Sequence, residues 1–310
     1  MDDISVSSHK GRSCYLLAGA KTIAFYSYKG GLGRSGMLAN TALFLAYSGR
    51  SVVALDLDLQ APGLHHKLGN ELMLEQSLLG QLRGAVNEIV DTLHTGPHPN
   101  GVAQIAIQLD LPESVSGSIF LIPAGSAPSP AYWTTLSQLK NSIRASAGNE
   151  GIAEALLELQ ARIFKELAPD FLFVDCSSGV TDLGSLVISV LADIVVCITT
   201  ISPESIEGTR AVASFLANAP RLASQQPLQL EFLIPWVGPE VDQSEVSMLS
   251  EYLGGSVTVL PSDFSARTDE RFEDQFNLAS DVVHPSQLPA QTRSWIEQRF
   301  ATNKAMHPTD

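Results

Sequence analysis

One lysine, three glycines, an arginine and a serine share seven consecutive positions, Lys29-Gly30-Gly31-Leu32-Gly33-Arg34-Ser35, with Gly36 following. Glycines let the backbone curl until successive N–H groups point inward, which makes a cradle for an anion. An apolar, β-rich run (Thr22 to Tyr26) precedes the loop and a helical run (Gly36 to Tyr47) follows it. Strand, glycine turn and helix N-terminus together form a phosphate-binding layout, because the helix dipole adds partial positive charge. Ser35 then stands where a hydroxyl reaches a phosphate-bound Mg2+. Two positions depart from the usual G-x-x-x-x-G-K-[ST] order. Tyr28 takes the place of the first glycine, and Arg34 that of the lysine that reaches the β- and γ-phosphates. Arginine keeps the charge and can fork onto phosphate oxygens, but it is bulkier and not interchangeable with lysine.

Acids follow at two strand ends. In Val52-Val-Ala-Leu-Asp56-Leu-Asp58-Leu-Gln60, alternate positions put the Asp56 and Asp58 carboxylates on one side of a strand's C-terminal end. In doubly wound sheets that end is where ligands bind. Taken alone, the pair would also read as solvated acids. In Phe171-Leu-Phe-Val-Asp175-Cys-Ser-Ser-Gly179, four apolar residues end in an aspartate. Its carboxylate would accept hydrogen bonds from the waters of a Mg2+ held by Ser35 and phosphate oxygens. Asp182 reads more simply as a helix N-cap or first-turn acid.

These groups need a scaffold, and the pattern supplies one. Strands are expected at Thr22–Tyr26, Ser51–Leu57, Ser118–Ile122, Phe171–Asp175, Ile194–Thr199, Leu228–Ile234 and Ser256–Leu260. Several are continuous apolar runs, as in parallel strands covered on both faces. Helices are expected at Arg34–Tyr47, Ile152–Leu167, Leu183–Leu191, Pro203–Ala217, Ser244–Leu253 and Ser286–Phe300. The alternation specifies an α/β fold, a single doubly wound and mainly parallel sheet flanked by helices. The organisation reads as an extension over 1–20, one domain over 21–303 and a tail over 304–310. Residues 64–148 form an irregular insertion, with loops at 95–101 and 123–130 marked by Gly and Pro.

Composition narrows the setting. The 310 residues are 45% hydrophobic and 17% charged, with a formal net charge of −14. Nonspecific DNA binding needs a basic face, and the scattered 19 Lys and Arg do not favour one. No apolar run approaches the roughly 20 residues that span a bilayer. The N-terminal stretch does not read as a signal peptide. Cys14, Cys176 and Cys197 lie far apart without C-x-x-C spacing, as buried or incidental thiols of a reducing cytoplasm. His65-His66, His94 and His98 lack the carboxylate or cysteine framework of a metal site.

The order x-K-G-G-x-G-[KR]-[ST] resembles the deviant phosphate loop of the ParA/MinD ATPases, and its arginine form resembles their KGGVGR-type variant branch. The likeness extends over roughly residues 20–270, taking in Ile119-Phe-Leu-Ile-Pro-Ala-Gly125 and Tyr132-Trp133. It implies ATP and Mg2+ as ligands, with Lys29 through Gly36, Asp175 and Gly179 around the nucleotide and Ser35, Asp56 and Asp175 around the metal. Asp58 matches the acid that orients the attacking water, Asp56 one that organises the metal's waters, and Gly179 a switch glycine whose N–H senses the γ-phosphate. Lys29 matches a lysine that crosses a dimer interface to the partner's nucleotide, supplying positive charge in trans; otherwise it is a surface lysine. Tyr132 and Trp133 are expected to pack in a core or interface. Thr200–Gly208 reads two ways, as a segment near the base or dimer face, or as an ordinary N-cap and first turn begun by Ser202-Pro203. An Asn that reads adenine is absent from Ile234–Pro239.

The resemblance implies a nucleotide-gated homodimer, or an ATP-dependent complex with an effector protein, plausible in a bacterial conflict or defence system. A second reading is a non-hydrolysing nucleotide sensor or scaffold in which Arg34 has traded turnover for binding. A third is a MinD-like membrane-positioning ATPase, for which Trp295, Ile296 and Phe300 with Arg293 and Arg299 give a faint amphipathic helix that is more simply packed on the domain.

Overall fold

The structure is a computed structural model that describes residues 20–69, 76, 80–145, 150–219, 226–236, 242–261 and 282–301. The N-terminal extension short of residue 20, the 304–310 tail and the end of the Ile234–Pro239 segment lie outside the described residues. An eight-stranded sheet organises the chain, in the order β3-β4-β2-β5-β1-β6-β7-β8. The strands are β1 (Lys21–Ser27), β2 (Ser51–Leu57), β3 (Ile107–Gln108), β4 (Ser118–Ile122), β5 (Phe171–Cys176), β6 (Ile194–Ile198), β7 (Gln229–Trp236) and β8 (Ser256–Pro261). All neighbours are parallel except the short β3 against β4. Every residue of β5 and β6 is buried, as continuous apolar runs require when both faces are covered. The single, mainly parallel sheet expected from the alternation is present.

The helices are α1 (Arg34–Tyr47), α2 (Leu64–Leu68), α3 (Ala85–His94), α4 (Pro130–Ala145), α5 (Glu150–Leu167), α6 (Asp182–Leu191), α7 (Pro203–Ala217), α8 (Gln243–Leu253) and α9 (Ala290–Ile296). On one face α1 and α9 cover Ile23, Phe25, Phe171 and Phe173. The centre of this face is aromatic. Phe173 meets Phe25 edge-on at 5.2 Å between ring centroids and Phe300 at 5.9 Å, contacts that each add about 0.5–1.5 kcal/mol beyond burial. The other face, Ala24, Tyr26, Leu172 and Val174, is covered by α3 through α8.

Two expectations change. The described parts of residues 64–148 are largely regular, because α2, α3, β3, β4 and α4 lie within them. In α3 the buried residues Ala85, Val86, Ile89 and Val90 form one helical stripe, and buried Glu88 pairs with Arg162 of α5. In α4, Tyr132, Leu136 and Leu139 recur at helical spacing and are buried. The stretch expected as one helix from Ser286 to Phe300 is broken. A 3₁₀ turn (Pro285–Gln287) precedes α9 and a π turn (Glu297–Ala301) follows it. Pro289 separates the first two, since proline has no N–H to donate and keeps its predecessor out of helical geometry.

Trp295, Ile296 and Phe300 are buried in the core, and Arg299 pairs with buried Glu231 of β7 at 3.0 Å. This terminal segment is packed on the domain. Among the described residues no helix is long and apolar enough to cross a membrane.

Candidate functional site

The C-terminal ends of β1, β2 and β5 lie side by side, and they carry the residues singled out above. Asp56 on β2 and Asp175 on β5 are register partners, and Phe25 on β1 flanks Asp175 from the other side. The glycine loop leaves β1 and ends at Gly33, which caps α1 in a left-handed conformation. Gly31 and Gly33 both have φ of 78°, and a β-carbon at either would meet nothing within 4 Å. Glycine is required there by backbone geometry, not by crowding. Gly30, Gly31 and Gly33 are exposed while Arg34 and Gly36 are buried, so the cradle opens to solvent over a packed helix start. Leu32 is half-buried and packs against the α1 face of the core.

Tyr28, where a glycine is usual, turns its ring out of the loop. A β-carbon at Gly208 of α7 would fall 2.2 Å from Tyr28 Cε1, so the ring rests directly on that glycine. Lys29 also points to α7, pairing with Glu204 at 2.5 Å, and both side chains are partly exposed. Neither Gly208 nor Glu204 was singled out from sequence as a partner of the loop, although both fall in the Thr200–Gly208 segment. That segment also holds the expected cap, with Ser202 preceding α7 and Pro203 at its first position.

Arg34 lies inside the site. Its Nε donates to Asp175 Oδ1 at 2.5 Å and its Nη2 to Asp58 Oδ2 at 2.6 Å. Ser35 Oγ donates to the other Asp175 oxygen, also at 2.5 Å. Asp56 is fully buried and accepts from the backbone N–H groups of Asp58 and Leu64, which ties the loop after β2 back to its own strand. Burial, reinforced by the Asp175 charge, pushes the Asp56 carboxyl well above the usual range. Burial also raises Asp175, despite the opposing pull of Arg34 and Ser35. For Arg34, burial works against the charge, but Asp175 and Asp58 outweigh it and hold the guanidinium protonated.

Three carboxylates around one guanidinium leave the pocket short of positive charge, and a hard cation suits such an oxygen-rich place. No group of three His, Cys, Asp or Glu side chains among the described residues could hold a metal by itself. Ser35 would be the protein's direct ligand to a Mg2+ held also by phosphate oxygens, and Asp175 and Asp56 would accept hydrogen bonds from its waters. Such an ion would supply charge at the β- and γ-phosphate oxygens.

Gly179 has φ of 73°. Its N–H donates to the Ser27 carbonyl at 3.1 Å and its carbonyl accepts from Tyr26 Oη at 3.1 Å. A role as a phosphate sensor requires this N–H to exchange partners. Asp182 is a first-turn acid of α6, and the cap is Thr181, whose hydroxyl accepts from Gly184 N–H. Tyr132 is buried and donates to the Leu59 carbonyl at 2.7 Å, fastening α4 to the loop that carries Asp58. Trp133 is 47% exposed, so of the two placements expected for it the core is ruled out.

His65 in α2 is buried, and neither ring nitrogen has a hydrogen-bond partner among the described residues. Burial, with the neighbouring His66 adding to it, pushes its pKa down to about 4. An unfolded histidine titrates near 6.5. The folded state therefore needs neutral His65, and stability is fully present above about pH 6.5 and is lost as pH falls toward 4. Asp56 and Asp175, with raised values, give the opposite slope, so the variant comparison isolates the histidine. His65→Leu should remove about 2 kcal/mol of the wild-type loss between pH 7.5 and 5. Urea melts at the two pH values measure it, and parallel losses in both proteins would refute it.

No protein-family model matches the chain, and no curated protein matches it. Solved structures do. A ParA family ATPase from Chlorobium tepidum TLS aligns with a TM-score of 0.58 at 18% identity, over 91% of this chain and 99% of that one. The ParA of pNOB8 aligns at 0.57 and 15% identity, over 90% and 98%. The septum site-determining protein MinD from Pyrococcus horikoshii OT3, complexed with Mg-ADP, aligns at 0.55 and 15% identity, over 90% and 96%. The chain therefore has the fold of the ParA/MinD ATPases.

Proposed function

We propose that the chain is a Mg2+-dependent, ATP-binding P-loop ATPase that works as a nucleotide-gated dimeric switch on a partner protein. The observation that carries this reading is the Ser35–Asp175 hydrogen bond beneath a left-handed glycine loop at the start of α1. A hydroxyl and a carboxylate at the start of a helix that follows a glycine loop support a site for a metal-bound triphosphate. The MinD neighbour holds Mg-ADP, which supports the ligand class. Lys29 would serve a second subunit's phosphate after leaving Glu204. An exposed ion pair of this kind is worth about 1 kcal/mol at most, so the exchange is easily driven by dense phosphate charge. Service in a bacterial conflict system beside an effector rests on the sequence resemblance.

Titration calorimetry with ATP tests the site. Wild-type protein should bind more tightly with Mg2+ present, and Ser35→Ala should lose most of that gain. Absence of binding with Mg2+ would end the proposal. Sedimentation with ATP and a non-hydrolysable analogue tests the dimer, which should form with nucleotide and not without it.

One observation favours the non-hydrolysing alternative: Arg34 occupies a carboxylate oxygen of Asp58, the acid proposed to orient water. Under that reading, Arg34→Lys should raise phosphate release by releasing Asp58. A lysine variant slower than wild type would favour the ATPase reading, with Arg34 serving the phosphates.

A further inference from the structure

We propose that the cleft between α4 and α6 is a docking site for an acidic peptide segment of a partner protein, anchored by aliphatic side chains. The cavity is about 200 Å³. Three segments wall it: Leu59 and Gln60 directly after Asp58, Thr181 to Leu183 shortly after Gly179, and α4. Its floor is apolar, with Leu136 and Leu139 beneath and Ile143 half-buried at the side. That volume takes one or two aliphatic side chains.

Charge selects the occupant. Lys140 and Arg144 stand one helical turn apart on the cavity rim, exposed and in no ion pair among the described residues. Two free cations beside an apolar cleft are notable in a chain of net charge −14. Trp133 and Ser137 continue the same exposed stripe of α4, at intervals of four, three and four residues from Trp133 to Arg144. The stripe is about 16 Å long at 1.5 Å per residue, the reach of a short peptide and not of a single ion. Two cations are too few to hold a nucleic acid backbone. Asp182 on the facing wall repels acids there, so the peptide's carboxylates lie along α4 and its aliphatic groups point down. Trp133 adds an exposed aromatic surface of the kind that anchors interfaces.

The placement gives the cleft a second property, which rests on the function proposed above. Its two loop walls begin beside Asp58 and Gly179, and Tyr132 ties α4 to the first of them. Nucleotide that moves these loops reshapes the cleft, so peptide affinity changes with ATP.

A random peptide display library panned on the purified chain, with counter-panning against Lys140→Glu/Arg144→Glu, tests the docking site. Both substitutions are on the surface, and a thermal melt verifies that the variant folds. Surviving sequences should be rich in Asp and Glu around Leu, Ile or Val. A labelled survivor should lose at least about tenfold in affinity for the double variant and change the emission of wild-type but not Trp133→Phe protein. Survivors without acidic bias, or no sequence surviving the counter-panning, would overturn the proposal. Anisotropy with and without ATP and Mg2+ then reads the coupling. Equal affinities would sink the coupling and leave docking standing, whereas absence of ATP binding in calorimetry would sink the proposed function alone.

Discussion

Arg34→Ala is expected to cost the fold about 3–5 kcal/mol, the range for removing one partner of a buried ion pair. The guanidinium lies between Asp58 and Asp175, with its side chain only 9% exposed and Asp175 fully buried. Alanine leaves both acids, and Asp56 in register beside them, with no cation in contact. The positive charge is then lost while Asp56 and Asp175 stay buried. Two controls give the result its meaning. Neutralising the acids in the same background, as Asp58→Asn with Asp175→Asn, should recover most of the loss. Lowering the pH should also recover part of it, because Asp56 and Asp175 already have raised values and take up protons more readily in the folded state. A group of that kind contributes stability at low pH that is lost as pH rises through its folded value. Denaturant melts from pH 5 to 8 make the measurement. An Arg34→Ala protein as stable as wild type at pH 8 would show that the guanidinium does not neutralise the cluster.

The largest functional effect is expected at Asp58. If its carboxylate orients the attacking water, Asp58→Asn should lower phosphate release by about 10²–10⁴-fold while ATP affinity stays within a few-fold. A group used mainly in the transition state adds little to ground-state binding. Asparagine keeps the shape of the side chain and can still accept from Arg34, so a fall in turnover reports on the charge and not on a collapsed loop. Single-turnover phosphate release and calorimetry on the same preparation separate the two quantities. Equal losses in both would make Asp58 a structural anchor for Arg34.

Much of this site is legible in sequence because its parts are local. Glycine spacing, a serine after the loop and aspartates at the ends of apolar runs each depend on a few neighbouring residues. Seven of the eight strands were equally plain, and β2 and β4 begin and end at the residues their apolar runs indicate. The two-residue β3 is too short to leave a pattern. Helices α3 and α4 were obscured for a different reason. Each follows glycine- or proline-rich turns, and α3 buries a glutamate on its inner face whose charge is offset by Arg162, far away in sequence. A stripe interrupted by a buried ion pair does not look like a core stripe. The partners of Lys29 and Arg34, the direction of the Tyr28 ring and the exposure of Trp133 are all tertiary facts. No local spacing encodes them. The break before α9 was readable from Pro289, whose chemistry outweighs the apolar spacing on either side.

The contact between Tyr28 and Gly208 has a consequence for inheritance. An aromatic ring at the loop's first position is tolerated because a residue 180 positions later has no side chain. The two positions are thus constrained as a pair. Among descendants of this chain, a side chain at 208 would meet the ring at 28, so any that gain one there must also turn or shrink residue 28. The phosphate loop's most conspicuous irregularity is thus tied to α7, the same helix whose Glu204 holds Lys29.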